Sequence, residues 1–496
     1  MIGLVYALVN QKGTFDLSSN KVLSNVAYSF VSQIIRLAAN TLLFISVARM
    51  YSSIEFGYFA TAHTYYTFFI LIADFGIDSY ILAALPSVPS SKSFVLVNLI
   101  RTRLIFCTIA IIGMLIFGIF LSSSTETILL FFIFTVGLVG TTLTSFFLST
   151  FKSQEIFKYD VYINIYQNGF LLIGLIAVRM SGLNYFYLAI IFMMSRYLGL
   201  LRLFRIFKDL VETDIFKDFS VGFLETVKSV YPYGVHLFFG TLYFTSDTML
   251  IALFYGEYAV GQYQAVFKLM LFSLLFSDVV TISALPSLSK SYAEDVQDWR
   301  FIANFLFKML AVSGIIFGGI FFYFSNDVVE IVYGNKLLEN ARPLMQIFGI
   351  LIFIRSVTLL YGFLLTSSQN QHKRMLITIA ATVFNIVLNI LFLPKYGILG
   401  SAYVALVTNT LVGFLFVYFA RNLKFTVDST FLNVLILFGV FYFSMNYFIQ
   451  SQIMLKLTVL VSLCCYVLYT AFFSLSKSEI KLISFFVQQL KAKIGA

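Results

Sequence analysis

The chain has 496 residues, 60% of them hydrophobic and only 11% charged, with a formal net charge of +10. A soluble domain carries about 25% charged residues, so the composition excludes a large soluble protein and points to a polytopic membrane protein. Apolar runs of about 20 residues recur without the alternation of a membrane β-strand, so the predicted spans are helices. The basic excess reads as the positive-inside bias of cytoplasmic loops, not as a nucleic-acid footprint.

Fourteen helices are predicted, over 24–50, 56–85, 104–121, 127–151, 161–178, 183–204, 230–255, 259–285, 303–323, 343–366, 375–394, 398–420, 430–449 and 453–475. Residues 1–23 have no basic n-region or small-residue cleavage site, so they are read as a cytoplasmic segment and no cleaved signal peptide is expected. In helix one, Asn25, Ser29, Ser32, Gln33, Arg36 and Asn40 recur at three- and four-residue steps and form one polar stripe, with Arg36 near mid-membrane. In helix two, His63, Thr67, Asp74 and Asp78 share a stripe; the two acids either carry protons or pair with Arg36. Arg101 and Arg103 fall at the cytoplasmic mouth of helix three, where the positive-inside bias accounts for them.

Further along, Arg196 in helix six and Arg355 in helix ten sit well inside their spans. Ionisable groups at that depth cost about 2.5–3.5 kcal/mol each on insertion scales, so they face a cavity or a partner. His236, Gly240 and Asp247 share a face of helix seven, and Asp247 lies at the same depth as Lys268 of helix eight. An Asp247–Lys268 ion pair is the expected structural role, with a cavity or coupling role left open. Lys456 near the outer end of helix fourteen can snorkel. Cys107, Cys464 and Cys465 lie in apolar runs without metal or disulfide spacing, and no metal site is predicted.

An even number of spans puts both termini on one side. The segments on that side hold 22 Lys and Arg and the opposite loops hold four, so both termini are expected in the cytoplasm. The chain also repeats itself. Ala-Leu-Pro-Ser ends helix two at Ala84–Ser87 and helix eight at Ala284–Ser287. "ARMYSSIEFGYF" from Ala48 aligns with "ALFYGEYAVGQY" from Ala252, pairing Tyr51 with Tyr255 and Gly57 with Gly261, and a later register pairs Gly182 with Gly397. Helices one to six therefore echo seven to twelve in the same orientation. The predicted fold is all-α: an N-lobe (24–204) and a C-lobe (230–420) around a central cavity, joined by a cytoplasmic linker (205–229). Two extra helices (421–475) and a cytoplasmic amphipathic tail (476–496) follow.

The stretches around Asp247 and Val260-Gly261-x-Tyr263, and the late Pro394-x-Tyr396-Gly397-x-x-Gly400, resemble the Wzx-like polysaccharide flippases of the multidrug/oligosaccharidyl-lipid/polysaccharide exporter superfamily. The resemblance runs from Ser24 to Arg421. It implies an inner-membrane carrier that flips undecaprenyl-diphosphate-linked oligosaccharide, an O-antigen or capsular repeat unit, to the periplasmic leaflet by alternating access. It also implies no cofactor, no covalent chemistry, and membrane lipids and other polysaccharide assembly proteins as partners. By the same resemblance Arg36, Arg196 and Arg355 meet the diphosphate; Ser32, Gln33 and Asn40 of the helix-one stripe, with His236, are the expected polar face of the cavity. Asp247, Lys268, Asp74 and Asp78 remain the candidates for ion pairing or coupling. The alternatives are a multidrug exporter of the same superfamily, disfavoured by Arg36 where an acid is usual, and a lipid II flippase. A polymerase or ligase would need a large outer loop, and no catalytic or nucleotide-binding motif occurs.

Overall fold

The computed structural model describes residues 18–84, 92–121, 124–154, 156–208, 223–334, 340–368, 370–423, individual positions between 425 and 445, and 452–470. Every element among them is helical: α1 (Ser18–Met50), α2 (Ser53–Asp74), α3 (Ile77–Ala84), α4 (Lys92–Leu121), α5 (Thr125–Ser153), α6 (Lys158–Ser181), α7 (Tyr185–Lys208), α8 (Phe223–Glu294), α9 (Val296–Tyr323), α10 (Ser325–Tyr333), α11 (Ala341–Ser367), α12 (Gln371–Ala420) and α13 (Gln452–Tyr469). Nine of the described helices are long and apolar enough to cross a membrane. Most of the first Ala-Leu-Pro-Ser, the centre of the linker, most of predicted helix thirteen and the amphipathic tail lie outside the described residues.

Helix α8 has 72 residues. A straight helix of that length would measure about 108 Å against a hydrocarbon core of about 30 Å. It folds back at Gly256, where φ is +71°, a conformation that glycine adopts without steric cost. The return is visible in the contacts: Gln264 Nε2 donates to Thr248 Oγ1 at 2.7 Å, eight residues either side of the turn. Helix α12 turns in the same way at Gly397, with φ +62°, and Ser401 donates to Asn389 Oδ1 across it at 2.7 Å. Predicted helices seven and eight, and eleven and twelve, are thus the arms of two hairpins.

Predicted helix two is not continuous. After α2, which starts at a Ser52–Glu55 capping box, Phe75 (φ +42°) and Gly76 (φ +80°) are both left-handed and separate it from α3. The break packs against α8, where a Cβ on Gly234 would lie 2.7 Å from the Phe75 carbonyl oxygen.

The repeat has direct structural counterparts. Tyr51 donates to the Leu183 carbonyl at 2.6 Å and Tyr255 to the Leu393 carbonyl at 3.0 Å, each tying the start of its half to a glycine turn. Gly182 and Gly397 have the same φ of +62°. Gly57 and Gly261 meet each other, as equivalent residues do beside a two-fold axis: a Cβ on Gly261 would lie 3.1 Å from the Gly57 nitrogen.

At the membrane face bearing these turns, one apolar core runs through both halves, from Phe44, Phe59 and Phe134 to Val260, Phe348 and Leu393. Towards the other face a separate cluster forms around Ile77, Leu99, Phe147 and Leu203, which Val230 of α8 joins. Helix α13 joins the second half through Leu455, Val459 and Tyr466, packed with Tyr442 against α9 and α11. Lys456 does not merely snorkel: its Nζ pairs with Asp327 in the first turn of α10 at 2.6 Å.

Candidate functional site

Three of the cations embedded in the spans sit at one depth. Arg36 precedes the end of α1 by 14 residues, Arg196 follows the start of α7 by 11, and Lys268 follows Gly256 by 12. At 1.5 Å per residue these positions are about 16–21 Å from the face with the glycine turns, near mid-membrane. Arg355 brings its guanidinium 4.3 Å from the ring centre of Phe244, itself 12 residues ahead of Gly256, and so reaches the same level.

The buried imidazole of His63 sits among Phe44, Tyr66, Phe134 and Phe192, with ring centres 5.0–5.7 Å away. Two of these rings each carry a cation: Lys268 Nζ lies over Phe44 at 4.3 Å and Arg196 over Phe192 at 4.4 Å. Both cations lie within electrostatic range of His63, and Arg36 lies within range of Arg196. Arg196 also donates to Gln167 Oε1 at 3.2 Å, while its buried Nε has no partner. Among the described residues none of Arg36, Arg196, Lys268 and Arg355 forms an ion pair; the pairs involve Arg103, Lys152 and Lys456 instead. Arg355 has the Asp278 carboxylate within electrostatic range; the other three, without an ion pair, cost on the order of 10 kcal/mol together on insertion scales. Aromatic faces return about 0.5–2 kcal/mol each. The remainder has to come from water or from an anion.

The acids are distributed otherwise than expected. Asp74 and Asp78 do not reach Arg36. Arg103, fully buried, donates through Nη1 to Asp74 Oδ1 at 2.9 Å and Asp78 Oδ1 at 2.7 Å, and through Nη2 to Ser145 at 2.6 Å. Arg103 is therefore an internal clamp across the α2–α3 break and not a residue of the cytoplasmic mouth. The Asp247–Lys268 pair does not form either. Asp247 accepts from Tyr263 at 3.0 Å and from Asn389 Nδ2 at 2.9 Å, while Lys268 turns away to Phe44. Asn385 and Ser401 extend the Asp247 network through Asn389, so the carboxylate is satisfied by neutral donors from both hairpins.

On the stripe of α1, Arg36 is exposed and Gln33 and Asn40 are half-buried. Ser32 is buried and accepts from Asn164 Nδ2 of α6 at 2.9 Å, so it faces a helix neighbour and not a cavity. The His236 side chain lies outside the described residues. Beyond the cations, an apolar groove of about 510 Å³ runs between α9, α11 and the Leu432–Val440 stretch, lined by Phe307, Phe353, Val357 and Leu435 among others.

Comparison with known proteins gives a match of residues 22–292 to the polysaccharide biosynthesis protein family and of residues 232–391 to the MatE family. The Haloferax volcanii protein Agl15, described as a probable low-salt glycan biosynthesis flippase, is 27% identical over 166 residues. That stretch is 33% of this chain and 34% of Agl15, so the chain matches about a third of that relative's length. In structure the chain is similar to the lipid II flippase MurJ in an inward closed conformation (TM-score 0.72, 14% identity, 90% of this chain and 98% of that one). It is also similar to an inward-facing multidrug resistance transporter of the MATE family (TM-score 0.63, 12% identity, 86% of this chain and all of the other). At these identities the likeness is one of fold.

Proposed function

The chain belongs to the polysaccharide biosynthesis protein family of the multidrug/oligosaccharidyl-lipid/polysaccharide exporter superfamily, and we propose that it flips undecaprenyl-diphosphate-linked oligosaccharide from the cytoplasmic to the periplasmic leaflet of the inner membrane. The observation that carries this reading is the set of four cations at one depth, none of them in an ion pair among the described residues, with Asp278 within electrostatic range of Arg355 alone of the four. A diphosphate supplies the missing charge, and the planar forks of three of the four donate to it in parallel. The apolar groove beside α11 suits the polyprenyl tail. Both termini are cytoplasmic in this reading, and the lobes, with limits at 24–204 and 230–420, rock about the cation level.

Native mass spectrometry of the detergent-solubilised protein tests the site. Undecaprenyl diphosphate should be retained at least tenfold better than undecaprenol, and an amphiphilic cation should not compete. Equal retention of diphosphate and alcohol would remove the anion site, and preferential retention of the cation would favour a multidrug exporter.

Asp247 is proposed as the place where a driving cation, proton or sodium ion, engages the C-lobe, because its carboxylate is buried and takes only neutral donors. Asp247→Asn should keep lipid binding and lose the dependence of transport on an imposed ion gradient. A variant that still responds to the gradient would end that assignment.

A further inference from the structure

The second arm of α8 faces the first six helices along one stripe. Glu257, Gly261, Gln264 and Lys268 follow one another at steps of four, three and four residues, which places them on a single helical face about 16 Å long. Each of the four makes a contact across the two halves. Glu257 Oε1 accepts from Thr127 at the N-terminus of α5, at 3.5 Å, where the helix dipole favours a negative charge. Gly261 lies against the start of α2, so closely that a Cβ would stand 2.7 Å from the Ser53 carbonyl oxygen. Gln264 Nε2 reaches Thr64 Oγ1 at 3.4 Å. Lys268, the deepest of the four, lays its ammonium over Phe44 of α1.

None of these contacts is strong. Two are long hydrogen bonds, one is a close backbone approach and one is a cation over a ring. They are the polar part of a seam whose apolar part is the core shared by both halves. Its inner end coincides with one of the four mid-membrane cations. Lys268 therefore cannot serve the anion and the seam equally: a charge-assisted bond to phosphate is stronger than its hold on Phe44.

We propose that this stripe is the outer gate of the carrier and that the anionic head of the cargo, by drawing Lys268 off Phe44, loosens it from the inside. The inference rests on the diphosphate reading above and adds to it a direct link between occupancy and opening. An empty carrier keeps its outer face shut because Lys268 has only Phe44 to bind. A loaded one no longer holds the deepest polar contact of the seam, and separation proceeds from there towards the outer face.

The test uses Thr64→Cys/Gln264→Cys in a full-length background with Cys107, Cys464 and Cys465 changed to Ser, reconstituted in liposomes. Oxidative cross-linking should be fast without ligand and slow about fivefold or more on adding undecaprenyl diphosphate, the lower end of the usual range for coupled sites. Adding Lys268→Ala should slow cross-linking towards the lipid-loaded rate even without lipid and abolish its response to the lipid. Thr127→Cys/Glu257→Cys, at the far end of the stripe, reports on the same seam should the first pair fold poorly. A rate unaffected by lipid, in protein that native mass spectrometry shows to be loaded, would overturn the gate while leaving the flippase reading in place. Failure of the cysteine-pair protein's unmodified parent to bind the lipid would overturn both.

Discussion

Arg103→Met should leave little folded protein in the membrane. The substitution keeps the length of the stem and removes the guanidinium that satisfies Asp74, Asp78 and Ser145 together. Two carboxylates would then share a buried site without a counter-charge, across a helix break whose two left-handed residues already rely on their surroundings. Breaking a buried pair costs about 3–5 kcal/mol, a large part of the 5–15 kcal/mol typical of a whole domain. The measurement is the yield of monodisperse protein after detergent extraction, together with its thermal midpoint. The triple variant Asp74→Asn/Asp78→Asn/Arg103→Met should recover most of that yield, because it removes the charges along with their partner. Wild-type yield from Arg103→Met alone would show that the clamp does not hold the α2–α3 break.

Arg36→Glu should have the opposite signature, with normal protein and no transport. Arg36 is exposed at mid-membrane and has no ion-pair partner among the described residues, so reversing its charge orphans nothing. What it changes is the field felt by the cargo. Two unit charges about 5 Å apart at an effective dielectric near 20 interact by about 3 kcal/mol. Turning attraction into repulsion of that size lowers binding by more than about a hundredfold. Arg36→Lys should keep most of the activity, since the charge remains and only the fork is lost. Wild-type transport by Arg36→Glu, at matched protein levels, would take Arg36 out of the site.

These two arginines also mark what could be read in the sequence. Helical class and the repeat were legible because the apolar period and the glycines sit in the chain itself. Tyr51 and Tyr255, aligned by offset alone, do make matching contacts with the two glycine turns. Gly57 and Gly261 were found as a pair, but nothing in their spacing says that they touch. The side-chain partnerships were not legible for a general reason: a stripe on one helix fixes direction about its own axis and leaves open which neighbour stands there. Asp74 and Asp78 find an arginine of α4, not of α1. Asp247 and Lys268, matched in depth, point to different partners; Tyr263 stood in the Val260-Gly261-x-Tyr263 motif without its bond to Asp247 being readable, and Asn389 carried no pattern that would have named it. The α2 break had a local signal, Asp-Phe-Gly-Ile-Asp at 74–78, which an uninterrupted apolar reading passed over.

The central claim, that this chain moves a diphosphate-linked glycan, is tested most directly by the pool of lipid-linked oligosaccharide in cells lacking the gene, compared with cells complemented by it. The account predicts that undecaprenyl-diphosphate-linked repeat units accumulate on the cytoplasmic side and surface polysaccharide is lost, with both restored by the wild-type gene. Intact surface polysaccharide with an unchanged lipid-linked pool, and raised sensitivity to cationic drugs, would contradict it and make the protein a multidrug exporter.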